Sequence, residues 1–427
     1  VPGRWQALGQ EGAGAGVAGP TGSEDRGALP RSLHLTQQLD SSLEDGHMDN
    51  DQQSPSLDSL LRAAQDNARR GRLSEAESIV DEIRSATRVE LQPSLIIGIM
   101  IIEGCIYSYR ADWRNARDRL LRARALAASQ RKIGLEVEAL AWLAYIAFNE
   151  GELEAAASRA MEVMRWREDA SHFTLYRASS VIAFLYFLAD RPESADRWLR
   201  FAKRMAELAG APGATSSIIF AAAALRASSE RVRRALDGSG RANLDLELLL
   251  SRSAQNYDEI TNVTIMPALH KLQEAQVLNM MDNFQAARDI LISVLERPED
   301  LPHISGIQAR IELFWARWSM APRSARESDL EETVRYVNEF LEDDDIIVYS
   351  ARLIQACKEV GRIEFVGSLQ TAYDNAKDRF LQQQAHILED LSRGLEKAGV
   401  PSTERLNDLV TEVARNLSTG DESKYGH

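Results

Sequence analysis

The chain has 427 residues, with 64 acidic side chains against 50 basic ones and a net charge of −14. That balance, with no basic stripe, argues against direct binding of nucleic acid or of an anionic membrane, since both need cations to displace counterions. The residues are 44% hydrophobic and 27% charged, so most of the chain can bury surface, and Ala, Leu, Arg and Glu dominate, which are good helix formers.

Residues 1–54 carry no helical period. They are rich in Gly, Ala and Ser and read as a disordered leader. Gly14, Gly16 and Gly19 have the spacing of a dinucleotide-binding loop, but Pro20 follows and no strand precedes, so no cofactor is expected. No apolar core of a secretory signal is visible, and Met48 is a candidate start for the helical part. The longest apolar stretch, Leu95 to Ile102, is far shorter than the roughly 20 residues that span a bilayer.

From Ser56 onward the periodicity is helical, and one sequence event recurs. A helix ends in a small or polar turn residue, a large residue follows two positions later, and Ala three after that. The copies are Gly71-Arg72-Leu73 with Ala76, Ala111-Asp112-Trp113 with Ala116, Gly151-Glu152-Leu153 with Ala156, and Asp190-Arg191-Pro192 with Ala195. The alanines step by 40, 40 and 39 residues. The pattern returns at Asp282-Asn283-Phe284 with Ala287, and weakly at Gly361-Arg362-Ile363 with Val366. Fixed self-similarity of this length marks a solenoid of stacked helix pairs. The turn residue reverses the chain, the Ala lets two backbones approach, and the large residue wedges between neighbours.

These positions resemble the tetratricopeptide repeat (TPR) family. Repeat two supplies Gly104, Tyr107, Trp113, Ala116 and Ala123; repeat three supplies Gly151, Leu153 and Ala156; repeat four supplies Ala183, Tyr186, Ala195 and Ala202. The likeness covers roughly residues 56–366, and the 40-residue period is similar to the long-helix, MalT-like variety of the repeat. It implies an all-α, right-handed α-solenoid of about eight antiparallel pairs. We expect these near 56–88, 92–130, 133–168, 172–210, 214–258, 262–297, 305–342 and 345–398.

The expected organisation is an N-terminal array over 55–236 and a looser C-terminal array over 237–366. A flexible joint at Asp237-Gly238-Ser239-Gly240 separates them. Capping helices over 367–417 and a disordered tail over 418–427 follow. The apolar stripe Leu369, Tyr373, Ala376, Phe380, Ile387 and Leu391 could cover the last pair or pair with a second copy as a homodimer.

No local chemistry stands out. None of the seven histidines has a His or Cys partner at metal-ligand spacing, and no nucleophile or phosphate-loop motif occurs, so neither metal nor enzyme activity is expected. Glu342-Asp343-Asp344-Asp345 lacks the pattern of a calcium loop and reads as a solvated turn. Cys105 and Cys357 belong to no framework and read as two buried thiols in a reducing compartment, which with the absent signal suggests a cytoplasmic protein.

The TPR resemblance implies that positions one, four and five after the consensus Gly/Ala face a groove on the first helices. Transferred to this chain they include Tyr109, Tyr145, Phe148, Asn149, Phe184 and Phe187, an aromatic wall with one amide beside it. Such a wall suits a peptide or protein segment, or equally the packed core. The expected function is a non-catalytic scaffold or regulatory adaptor. The alternative is a sensor, in which a ligand or signal peptide alters the superhelix and acts on a separate protein.

Overall fold

The computed structural model describes residues 56–86 and 92–397, with breaks at 239, 241, 262, 264–266, 299–300, 302 and 323–325. The expected leader, the tail, and the part of the capping segment beyond 397 lie outside the described residues. Among those described there are sixteen helices and no strand. They form the eight expected pairs: α1 (Leu57–Arg69) with α2 (Leu73–Ala86), α3 (Pro93–Tyr109) with α4 (Trp113–Ser129), α5 (Ile133–Asn149) with α6 (Leu153–Arg165), and α7 (His172–Leu188) with α8 (Pro192–Leu208). Then come α9 (Pro212–Asp237) with α10 (Leu244–Thr261), α11 (Pro267–Met280) with α12 (Phe284–Leu295), α13 (His303–Met320) with α14 (Glu327–Phe340), and α15 (Asp343–Val360) with α16 (Ile363–Lys397).

The recurring turn explains the pairing. The turn residue of each copy has a left-handed backbone: φ is 81° at Gly71, 51° at Ala111, 78° at Gly151, 52° at Asp190, 59° at Asp282 and 78° at Gly361. The next residue then donates its N–H back across the turn, as Asp112 does to Tyr107 O at 2.9 Å and Arg362 to Cys357 O at 2.8 Å. This closes the end of one helix while aiming the chain into the next. The wedge residues Leu73, Trp113, Leu153, Pro192, Phe284 and Ile363 are each the first residue of a second helix. Ala76, Ala116, Ala156, Ala195 and Ala287 are all fully buried, as a close helix–helix approach requires. The approach is tightest at Gly104, where an added Cβ would lie 2.5 Å from Leu120 Cγ.

First helices of successive pairs lie side by side from α1 to α15, whereas second helices, apart from α14 and α16, hardly touch. First helices therefore form the inner, concave layer. The two arrays are not simply strung end to end. The 26-residue α9 packs on α15 as well as on its neighbours, and the 35-residue α16 runs back to reach α6 and α7. Leu369 and Ala376 sit in the core built by α13 to α15, while Ile387 and Leu391 sit in the N-terminal core. Tyr373 Oη donates to Ala235 O at 3.0 Å. The stripe on α16 is thus spent within its own chain, so the homodimer expectation loses the surface on which it rested.

The acidic run also differs from expectation. Asp343–Asp345 open α15, and Asp344 and Asp345 are buried rather than solvated. Asp345 faces Arg231 of α9, an interaction that local sequence could not show. Cys105 and Cys357 are both buried and free. No described helix is long and apolar enough to cross a membrane.

Candidate functional site

The inner layer of the N-terminal array is built from α3, α5 and α7, whose sequences are apolar almost all round. In α7, HFTLYRASSVIAFLYFL, the sole Asp, Glu, Lys or Arg is Arg177, and it is only 5% exposed. Its guanidinium lies 4.0 Å from the ring centre of Trp142 and 4.5 Å from that of Tyr145, with Tyr176 at 5.1 Å and Phe173 at 5.6 Å. Its Nη2 donates to Tyr109 Oη at 3.1 Å, and its Nε has no hydrogen-bond partner among the described residues.

No carboxylate lies within ion-pair distance of Arg177 among the described residues. The nearby Glu138 is engaged by Arg69 at 3.4 Å, and Arg69 itself stacks on Phe173 at 3.8 Å. The hydroxyls do not supply a counter-charge either. Burial pushes Tyr109, Tyr145 and Tyr176 above the ordinary phenol value, and Cys105 is pushed up to about 12 by the same cause. At neutral pH every one of these groups is protonated, and a guanidinium keeps its charge. Aromatic faces offset part of the cost of burying that charge, by up to about 2 kcal/mol per desolvated contact. A matched carboxylate would offset more.

Of the six residues assigned to the groove from the sequence, Tyr109 and Tyr145 meet at this cluster, on either side of Trp142 at 5.8 and 5.9 Å between ring centres. Tyr109 is partly exposed, and Tyr145 is 6% exposed. Phe148 and Phe184 pair with each other at 5.6 Å, with Phe148 fully covered and Phe184 at 6%. Phe187 is also buried. Asn149 is fully buried, and its Nδ2 donates to Tyr145 O at 2.8 Å one turn back in its own helix. Its Oδ1 has no partner among the described residues. The residues that sequence reasoning missed are Trp142, Phe173, Tyr176 and Arg177. A lone cation in an otherwise uncharged helix was the available signal for the last.

Further along the inner layer a second group of buried polar side chains is paired in charge, although the three guanidinium nitrogens of Arg231 and Asn279 Oδ1 make no hydrogen bond among the described residues. Arg231 of α9, 3% exposed, lies 3.3 Å from Glu312 of α13 and 3.5 Å from Asp345 of α15. Glu312 also takes Arg352 at 3.1 Å, Tyr349 Oη at 3.0 Å and Asn279 Nδ2 at 2.7 Å, and Gln308 donates to Asp345. Burial alone would raise Glu312, but Arg352 and Arg231, with the Asn279 and Tyr349 bonds, hold it below the ordinary carboxylate value. Beside this network, α9, α11 and α13 line a half-open pocket of about 60 Å³ bounded by Phe220, Leu272, Gln273 and Gln276. Both polar ends of the buried Gln273 amide are without partners among the described residues.

No family model matches the chain, and no curated protein matches it. Among solved structures the chain is similar to a crystal structure of a Rap protein complexed with competence and sporulation factor. That similarity has a TM-score of 0.50 and 12% identity, over 80% of this chain and 98% of that one. The neighbour is a helical-repeat protein, and at this identity the likeness shows the fold: an all-helical solenoid compatible with TPR-like repeats.

Proposed function

We propose that this chain is a non-catalytic binding module that holds a peptide or protein segment against the inner face of α3, α5 and α7, at the partly exposed Tyr109 and the Arg177 cluster beside it, with Tyr145, Phe184 and Phe187 as the aromatic layer beneath. The observation that carries this reading is Arg177: a buried guanidinium ringed by aromatic faces, with no carboxylate within ion-pair distance among the described residues. A fold needs no such charge for stability, because an unmatched buried ion costs several kcal/mol that an apolar residue would not. A bound segment supplying polar or anionic groups would match it, and rigid aromatic rings would give that segment contact area at low entropic cost. Phe148 and Asn149 serve this face from behind, as packing and as a helix-internal hydrogen bond. The similarity to a Rap protein, itself solved with a bound factor, is in keeping with a regulator of this type.

Affinity capture with the parent and with Tyr109→Ala tests the reading. Because Tyr109 Oη accepts from Arg177, the variant's binding is read only once its melting curve matches that of the parent. The expected outcome is a partner retained by the parent and lost by the variant. An identical retained set from both would contradict the inner-face assignment.

A further inference from the structure

The outer face carries a feature that the inner-face reading does not use. In the seventh pair, α13 and α14 touch over a shorter length than the two helices of any other pair. The pair is splayed, and the gap is an open groove of about 850 Å³, walled by α12 and α14 and floored by α13. Because second helices lie on the convex side, this groove opens outward.

Along its floor Leu313 and Phe314 show only edges, at 8% and 7% exposed, between Arg310 and Arg317 of the same helix, and Met320 is 38% exposed at its end. Its rim is basic, carrying Arg288, Arg310, Arg317 and Arg326 against two acids, Asp329 and Glu332. One of those acids is already engaged, since Glu332 accepts from Tyr336 Oη at 2.6 Å. Arg288 bonds Asp289, outside the groove, and Arg310 donates to Tyr336 Oη at 3.4 Å. Arg317 and Arg326 are exposed and make no ion pair among the described residues. A local excess of cations over an apolar floor, in a chain whose net charge is −14, is a surface of opposite sign to its surroundings.

We infer that the groove between α12 and α14 is a docking site for an acidic amphipathic segment of a partner protein. The segment's carboxylates would meet Arg317 and Arg326, and its apolar side chains would cover Leu313, Phe314 and Met320. Charge complementarity selects the acidic partner, and the floor selects an amphipathic one. A bare phosphate would satisfy the rim and leave the apolar floor wet. The inference is independent of the inner face: the two surfaces lie on opposite sides of the solenoid wall.

The test uses the full chain and three fluorescein-labelled helical peptides, read by anisotropy. One carries Glu on one face and Leu on the other, the second has Leu replaced by Ser, and the third has Glu replaced by Lys. The parent should bind the first peptide, and the Ser and Lys peptides at least about tenfold more weakly. Arg317→Glu with Arg326→Glu should weaken the first peptide by about tenfold or more, mostly through slower association that is sensitive to salt. Met320→Ser should weaken it about threefold, through faster release. All three positions are exposed, so unchanged melting curves verify the fold of each variant. Equal binding by the charge-reversed variant would overturn the site. Equal binding of the Ser peptide, or full displacement by inorganic phosphate, would reduce it to a simple anion patch and overturn the partner class.

Discussion

Two buried arginines, Arg177 within the N-terminal array and Arg231 at its end, where α9 meets the later helices, set two regions of this solenoid apart. Arg231 on α9 faces Glu312 and Asp345 and ties three first helices together; Arg177 on α7 faces four aromatic rings and one phenol. Each sits on the inner layer and each is about equally inaccessible. The region around Arg177 is apolar and alanine-packed about a charge with no counter-ion among the described residues, while Arg231 has carboxylates at ion-pair distance, though its nitrogens make no hydrogen bond among the described residues. The difference teaches that burial of a charge is not by itself a sign of function. What differs between these two arginines is the counter-charge, and the proposed ligand-binding role of Arg177 rests on that difference.

The largest expected effect breaks the matched side. Arg231→Met removes the cation facing Asp345 and one of the two cations on Glu312. The C-terminal array should lose about 3–5 kcal/mol, as removal of one partner from a buried ionic cluster does. Hydrogen exchange resolved by helix should show the loss in α13 and α15 first, sparing α3 to α6.

Acid should act on the same half. His270 of α11 is buried, stacked on Phe220 at 4.1 Å, and burial lowers its pKa to about 4 from 6.5. Because the unfolded state takes up the proton first, stability is complete above pH 6.5 and falls as the pH drops towards 4, by about 3 kcal/mol in all. Glu247, pushed up to about 7 chiefly by burial, works with the opposite sign between pH 4.5 and 7. The diagnostic quantity is therefore the difference between the parent and His270→Phe, whose melting temperature should drop less on acidification. Equal drops would show that His270 is not buried neutral.

The N-terminal array should answer to volume instead. Ala116→Leu and Ala156→Leu, at fully covered positions of close helix approach, should each cost about 1–3 kcal/mol through overpacking. Thermal melts that match the parent would mean these helices do not approach as closely as the packing shows. Smallest of all are the turns. Ala111 holds φ at 51° where Gly151 holds 78°, so Ala111→Gly should stabilise and Gly151→Ala destabilise, each by about 1 kcal/mol or less.

Much of the fold was legible because its determinants are local. Turn residue, wedge and Ala lie within six positions of one another, and each occupies the place the repeat assigns to it. What was not legible depends on partners far away in the chain. The α16 stripe could be read, but not that Ile387 and Leu391 would land on the N-terminal core. The acidic run at Asp343–Asp345 looked solvated because Arg231 is supplied by a distant helix. On the inner face the transferred register found Tyr109 and Tyr145, yet it passed over Trp142 and Arg177, because a family pattern carries positions and not charge balance. Asn149 was read as a groove amide, but its Nδ2 bonds within its own helix, and Phe148 is wholly covered by its neighbours.

The central claim is that Arg177 is buried for a ligand and not for the fold, and Arg177→Met tests it most directly, with thermal melting as the readout. Removing a charge that nothing among the described residues neutralises, and filling its place with a side chain of similar length, should leave stability within about 1 kcal/mol of the parent or raise it. A loss as large as that of Arg231→Met would contradict the account and make Arg177 a structural residue like its counterpart.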